Sequence, residues 1–276
     1  MGKRLLWGLV ALWLAAAPAL AELTVERQEG EAYFPSEQKW TYHFTYAYPH
    51  IVGEDYTAAL INDTYQMALD EMTQLVLPMF ANSRDMRFDG QNQVTHDFSV
   101  LCNNGRLLCV LQTRLQTMGQ EGSQYTLEPL TFDVGGMYAG ETLTLRGVTL
   151  IQAGVDAKRL EDVEPEEYPQ IAAIIDGSST EMAEALLPVL YERFFREENR
   201  DLLKADITLE DFEAEFSPAR DFGADGEGNL LFFLPPMLLQ TPGWNVPVEK
   251  MPPEEIEAVL LHAQSGTLGE SVEGGE

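Results

Sequence analysis

The clearest pattern in the chain lies over residues 39–48, where Trp40, Tyr42, Phe44, Tyr46 and Tyr48 occupy alternate positions. A period of two puts all five rings on one face of a β-strand. That face is expected to lie inside, covered by a helix; the alternative is a ring platform for a sugar or a partner protein. A covering helix follows directly. Over residues 53–80, Tyr56, Leu60, Ile61, Met67, Leu69, Met72, Leu75 and Val76 recur mostly at i, i+3 and i+4, and Pro78 marks the expected end.

Residues 93–102, 107–118 and 124–134 then predict three consecutive antiparallel strands. Turns at Asn103-Asn104-Gly105 and Gly119-Gln120-Glu121-Gly122 separate them. Short β or turn segments are expected at 142–145 and 148–151, and a helix at 165–175. Ser178 and Glu181 form a capping-box pattern that opens a helix to about Arg196, with Pro188 as a kink or as its true start. Thr208 caps a further short helix over 209–212. Strands are expected again at 229–234 and 244–248, and a last helix runs from Pro252-Pro253 to Leu261. Strand, helix, meander, helices and hairpin make an α+β fold. The meander and the C-terminal hairpin form an antiparallel sheet packed against several helices.

Residues 1–21 change the picture, because they read as an export signal. Lys3 and Arg4 precede an apolar run, Pro18 breaks it, and Ala19-Leu20-Ala21 is a small-x-small site cleaved before Glu22. The alternative is an uncleaved anchor, at the lower end of the ~17–25 residues that span a bilayer. Export places the chain in the cell envelope or outside the cell, with no membrane span after cleavage. Residues 22–38 then form a lead-in, 39–262 a single domain, and 263–276 a disordered acidic tail.

Charge narrows the partners. With 45 acidic and 17 basic residues the net charge is −28, which repels nucleic acid and attracts a basic partner. The same charge also serves plain solubility. Cys102 and Cys109 are the two cysteines, and a two-residue turn at Gly105-Arg106 would set them opposite each other. In an oxidising compartment they are expected to form a structural disulfide contributing ~2–3 kcal/mol.

Candidate chemistry is sparse. His43, His50, His96 and His262 stand in no metal-binding spacing, so no metal, cofactor or catalytic residue is assigned. Adjacent pairs such as Glu166-Glu167 and Glu254-Glu255 read as solvated surface. The run Asp221-Phe-Gly-Ala-Asp225-Gly-Glu227-Gly-Asn229 reads as a hairpin turn, with a calcium loop as the alternative.

A more specific pattern spans the second half. Phe132-Asp133 precedes Gly140-Glu-Thr-Leu-Thr-Leu145, and Asn229-Leu-Leu-Phe-Phe-Leu-Pro235-Pro236 is followed by Gly243-Trp-Asn-Val-Pro247. This resembles the extracytoplasmic domain of the lysozyme-sensing anti-sigma factors of the RsiV family, a domain also found beside peptidoglycan deacetylases. Tyr48-Pro49 to Gly53, with Ala59 to Asn62, resembles that family's entry into its first helix. The resemblance covers residues 39–261. It departs at Met237-Leu-Leu-Gln-Thr-Pro242, where the family prefers an aromatic residue and Ala-Pro-Tyr. It departs again at Gly119-Gln-Glu-Gly-Ser, which lacks a histidine.

The resemblance implies a binding or sensing domain for lysozyme or a cell-wall component. Trp244, in the turn Pro242-Gly243-Trp244, is the candidate exposed anchor, with a buried core tryptophan as the alternative. An anti-sigma factor also carries a cytoplasmic segment before its membrane helix. Only four residues precede Leu5, so signalling of that kind is not expected of this chain alone. The alternative is a peptidoglycan-processing enzyme or its accessory domain.

Overall fold

The computed structural model describes residues 22–39, 41–82, 92–119, 122–136, 138–155 and 163–270. The expected signal up to Ala21, Trp40, part of the turn after residue 119 and the last six residues lie outside these. The fold is α+β, with two sheets.

The first sheet has the order β1-β2-β3-β4-β5, formed by Thr24–Phe34, Tyr42–Val52, Asn92–Asn103, Leu107–Met118 and Gly122–Asp133. The supposed lead-in is therefore a full strand, pairing antiparallel with β2 from Thr24↔Val52 to Phe34↔Tyr42. The sheet is mixed, because β2 and β3 run parallel. Between them lie α1 (Tyr56–Asp70), a π-helical segment (Glu71–Val76) and α2 (Leu77–Asn82). A crossover of this length makes a parallel pair, whereas the tight turn after β3 makes an antiparallel one. Asp55 starts α1 by accepting the Ala58 amide at 2.9 Å. Pro78 does not end the helix but sits near the start of α2, where a missing N–H costs little.

Three of the five rings of the aromatic stripe lie inside as expected, Tyr46 is half-buried, and Trp40 falls outside the described residues. Tyr42, Phe44 and Tyr48 are buried, Tyr42 and Phe44 against Leu77 and Ala81, Tyr48 against Ile61 and Tyr65. The face covered by α1 and α2 also holds Leu108, Val110 and Phe132. The opposite face of β3–β5 carries Cys102, Leu107 and Cys109 into the largest core cluster, shared with the helices and second sheet of the C-terminal half.

That half begins at α3 (Leu145–Gln152), where β or turn was expected. The β-rich composition of residues 142–151 is overridden locally. Thr144 caps the helix by accepting the Gly147 amide, and Leu145, Val148 and Ile151 are buried. Only Thr142 keeps a β-bridge, to Phe132. Next come α4 (Ala172–Asp176), α5 (Ser179–Phe194) and α6 (Leu209–Glu215). Capping boxes open α5 at Ser178–Glu181 and α6 at Thr208–Asp211, and Pro188 is accommodated inside α5. Phe194, Phe212 and Phe216 pack ring to ring at the centre of this half.

The second sheet, order β6-β7-β8, consists of Phe222–Ala224, Leu230–Phe233 and Val248–Met251. The last strand starts later than expected, so residues 244–247 are loop. Finally α7 (Pro253–Glu270) extends into the segment expected to be disordered. Among the described residues no helix is long and apolar enough to cross a membrane.

Candidate functional site

A groove of about 740 Å³ opens between the outer edge of β5 and the segment joining α6 to the second sheet. Its size lies within the ordinary range of ligand sites. One wall is the backbone of β5; the other includes Arg220, Phe222, Pro236 and Met237.

The end of β5 fixes where the groove begins. Asp133 is fully buried, and its carboxylate accepts the amides of Gly135 at 3.1 Å, Gly136 at 2.8 Å and Tyr138 at 3.1 Å. This folds the loop back, so that Gly140 N donates to the Asp133 carbonyl at 2.7 Å and Leu143 N to the Thr131 carbonyl at 2.8 Å. Gly140 has φ +95°, and a Cβ there would sit 2.8 Å from Leu60, so the loop closes on α1 only with glycine. Asp133 and Gly140, picked out by motif, thus serve one device.

These bonds also set the direction of every backbone group in β5. In an antiparallel ladder alternate residues point their N–H and C=O to opposite sides. Thr131 and Asp133 bond away from β4. Ser123, Tyr125, Leu127 and Pro129 must therefore also point outward. Pro129, opposite Leu111, is compatible with the sheet for that reason, since it has no N–H to offer β4. Among the described residues no strand pairs with this edge before Thr131.

The far wall is held by Asp221, which grips Arg220 with both oxygens (2.9 and 2.7 Å) and accepts the Ser217 amide at 2.8 Å. Together these partners engage both oxygens of the carboxylate. Trp244 stands at the rim, 43% exposed, its ring edge-on to Tyr125 at 5.6 Å; Met237 is equally exposed.

The other sequence-picked residues are structural. Phe132 is buried against Tyr65. The Pro235 carbonyl accepts the Leu238 amide, and the Pro247 carbonyl the Leu234 amide at 3.2 Å. Nothing in the structure requires glycine at 243.

Cys102 and Cys109 do face each other across β3 and β4. However, both are buried free thiols, and the expected disulfide is not seen in this structure. The register shifts between Val100 and Cys102. The Cys109 sulfur instead meets the second sheet, accepting the Ala224 amide at 3.3 Å and the Thr131 hydroxyl at 3.2 Å. Burial pushes the Cys102 thiol up to about 11.

The four histidines stay apart. His43 meets Glu31, and His50 and His262 are exposed. His96 accepts or donates at 2.6 Å with the Tyr48 hydroxyl, while its Nε2 and the Tyr65 hydroxyl have no partner among the described residues. Burial, then the nearby Arg114, lowers His96 to about 4, so it stays neutral at physiological pH.

The acidic run at 221–229 is a hairpin turn. Asp225 accepts the Glu227 and Asn229 amides, both at 2.9 Å, the Asn229 side chain at 3.0 Å and Lys250 at 3.0 Å. Burial alone would raise its pKa; Asn229, Lys250 and the Glu227 amide outweigh that and bring it to about 2. A depressed carboxylate stabilises the fold above its unfolded pKa and loses that contribution as pH falls. About 2 kcal/mol should therefore disappear between about pH 5 and pH 2. Urea titrations across that window should show a flatter pH slope for Asp225→Asn; equal slopes would refute the assignment.

Sequence reading missed the groove. The available signal was Pro129 inside a strand pattern, which demotes that strand to an edge.

No family model matches the chain, and no curated protein matches it. Among solved structures, it is similar to a DUF3298 family protein from Pseudomonas aeruginosa at 12% identity and TM-score 0.46, covering 85% of this chain and 92% of that one. It is also similar to a DUF3298 family member from Bacteroides fragilis at 14% identity and TM-score 0.42, covering 86% and 92%. DUF3298 denotes a domain of unknown function.

Proposed function

We propose that this chain is an exported binding domain, not an enzyme, whose ligand seats in the groove along β5. The ligand is a basic protein such as lysozyme, or a cell-wall component. One observation carries the reading: an open groove of about 740 Å³ runs beside a half-exposed tryptophan braced on a groove-wall tyrosine. Aromatic anchors at a rim supply large contact area at little entropic cost. The net charge of −28 favours association with a basic protein and makes it salt-dependent. An export signal and a position in the envelope belong to the same proposal.

The test is calorimetric titration of hen lysozyme and, separately, of soluble peptidoglycan fragments at low salt. One of them should bind, and Trp244→Ala should weaken it about tenfold or more. No binding by either, or unchanged binding by the variant, would defeat the reading.

A further inference from the structure

The groove has one wall unlike an ordinary pocket, because it is made of backbone. Residues 123–129 of β5 present, on alternate residues, the N–H and C=O of Ser123, Tyr125 and Leu127 and the C=O of Pro129. These groups are spaced as in an antiparallel or parallel ladder and lie beside apolar side chains of the opposite wall, Phe222, Pro236 and Met237. Only another extended backbone offers donors and acceptors at the same repeat.

Accordingly, we infer that the groove takes an extended segment of a basic polypeptide, which adds as a sixth strand to the edge of β5. The inference rests on the proposed binding role and specifies how it works.

Two observations commit the occupant. First, among the described residues no strand pairs with this edge before Thr131. Protein edges are normally blunted by covering elements, inward charges or proline. Among the described residues the loop carrying Leu143 hydrogen-bonds β5 only as far as Thr131, and Pro129 removes one donor while leaving those of Tyr125 and Leu127. Second, charge discriminates among extended chains. A second copy of this protein could pair edge to edge, but each copy carries −28 and would be repelled at contact. A lysine- or arginine-rich segment is attracted by the same field. Within the groove Arg220 is neutralised by Asp221, which leaves Glu128 and Glu215 against Arg114. A basic segment therefore meets no net local repulsion.

The experiment uses the purified chain and an acetylated, amidated peptide of alternating lysine and valine. Binding is read by calorimetry at low salt and backbone amide exchange by NMR. In the free protein the Tyr125 and Leu127 amides should exchange rapidly, and the peptide should protect both. A peptide N-methylated at two consecutive central residues, which blocks both of its edges, should bind at least about tenfold more weakly. Leu127→Pro removes one outward donor without touching the β4 ladder and should weaken binding to a similar degree.

If that variant does not fold, the exchange and N-methyl results on the unaltered chain still decide. The inference is overturned by no peptide binding, by binding without protection of the two amides, by equal affinity of the N-methylated peptide, or by scattering that shows a dimer protecting the same amides. Should lysozyme or a wall fragment bind through Trp244 while the peptide fails these criteria, the binding role stands and strand addition falls.

Discussion

Asp133→Ala should destabilise the chain by about 3–5 kcal/mol, since three amides lose a charged acceptor in a buried site. The carboxylate accepts from Gly135, Gly136 and Tyr138, and its own backbone holds Gly140 and Glu141. Asp133→Asn offers a graded comparison. Its remaining oxygen can still serve Gly135 and Gly136, but an NH₂ then confronts the Tyr138 N–H, so the cost should be intermediate. Urea unfolding with unchanged m-value measures both. Costs below about 1 kcal/mol for both variants would show that the loop does not depend on this carboxylate. The same change should loosen the pairing of Leu143 with Thr131, visible as faster amide exchange, and so lengthen the open edge of β5.

Glu257→Ala should cost about 2–4 kcal/mol by a different route. Glu257 lies on α7, is 5% exposed, and accepts the Ala173 amide at 2.8 Å and the Ile174 amide at 2.9 Å. It thus satisfies the start of α4, whose own N-cap position is Ile171, with no side-chain oxygen to offer. Removing the carboxylate strands two donors inside the core, whereas Glu257→Gln retains one accepting oxygen and should be milder. Unfolding midpoints rank the three proteins, and the Ala173 and Ile174 amides should lose exchange protection first. A native-like midpoint for the alanine variant would sink the account.

The two residues show how far the sequence could be read. Asp133 stood out through the family resemblance, and its partners lie within five residues, so its role is written in a short local segment. The capping boxes at Ser178 and Thr208 were legible for the same reason. Nothing in the local sequence marks Glu257, because its partners lie 83 and 84 residues away.

The strand at 24–34 was passed over too. Its residues are largely exposed and polar, so it has little hydrophobic alternation, and its evidence is the ladder to β2. Conversely, residues 142–151 carried β-type composition and became α3 once Thr144 capped it and a core received Leu145 and Val148. The cysteines show the limit of register alone. They are opposite in sequence and in space, but the second sheet decides where the Cys109 sulfur goes.

By itself, then, the sequence determined the α+β class, the burial of Tyr42, Phe44 and Tyr48, the β3–β5 meander, the helix starts at Ser178 and Thr208 and the turn at 225–229. Each depends on periodicity or on hydrogen bonds between near neighbours. Only the tertiary structure decided that β2 and β3 are parallel, that Glu257 caps α4, and that among the described residues no strand pairs with the edge of β5 before Thr131. Those outcomes depend on which distant backbone groups find partners, and no local pattern records a bond that is left unmade.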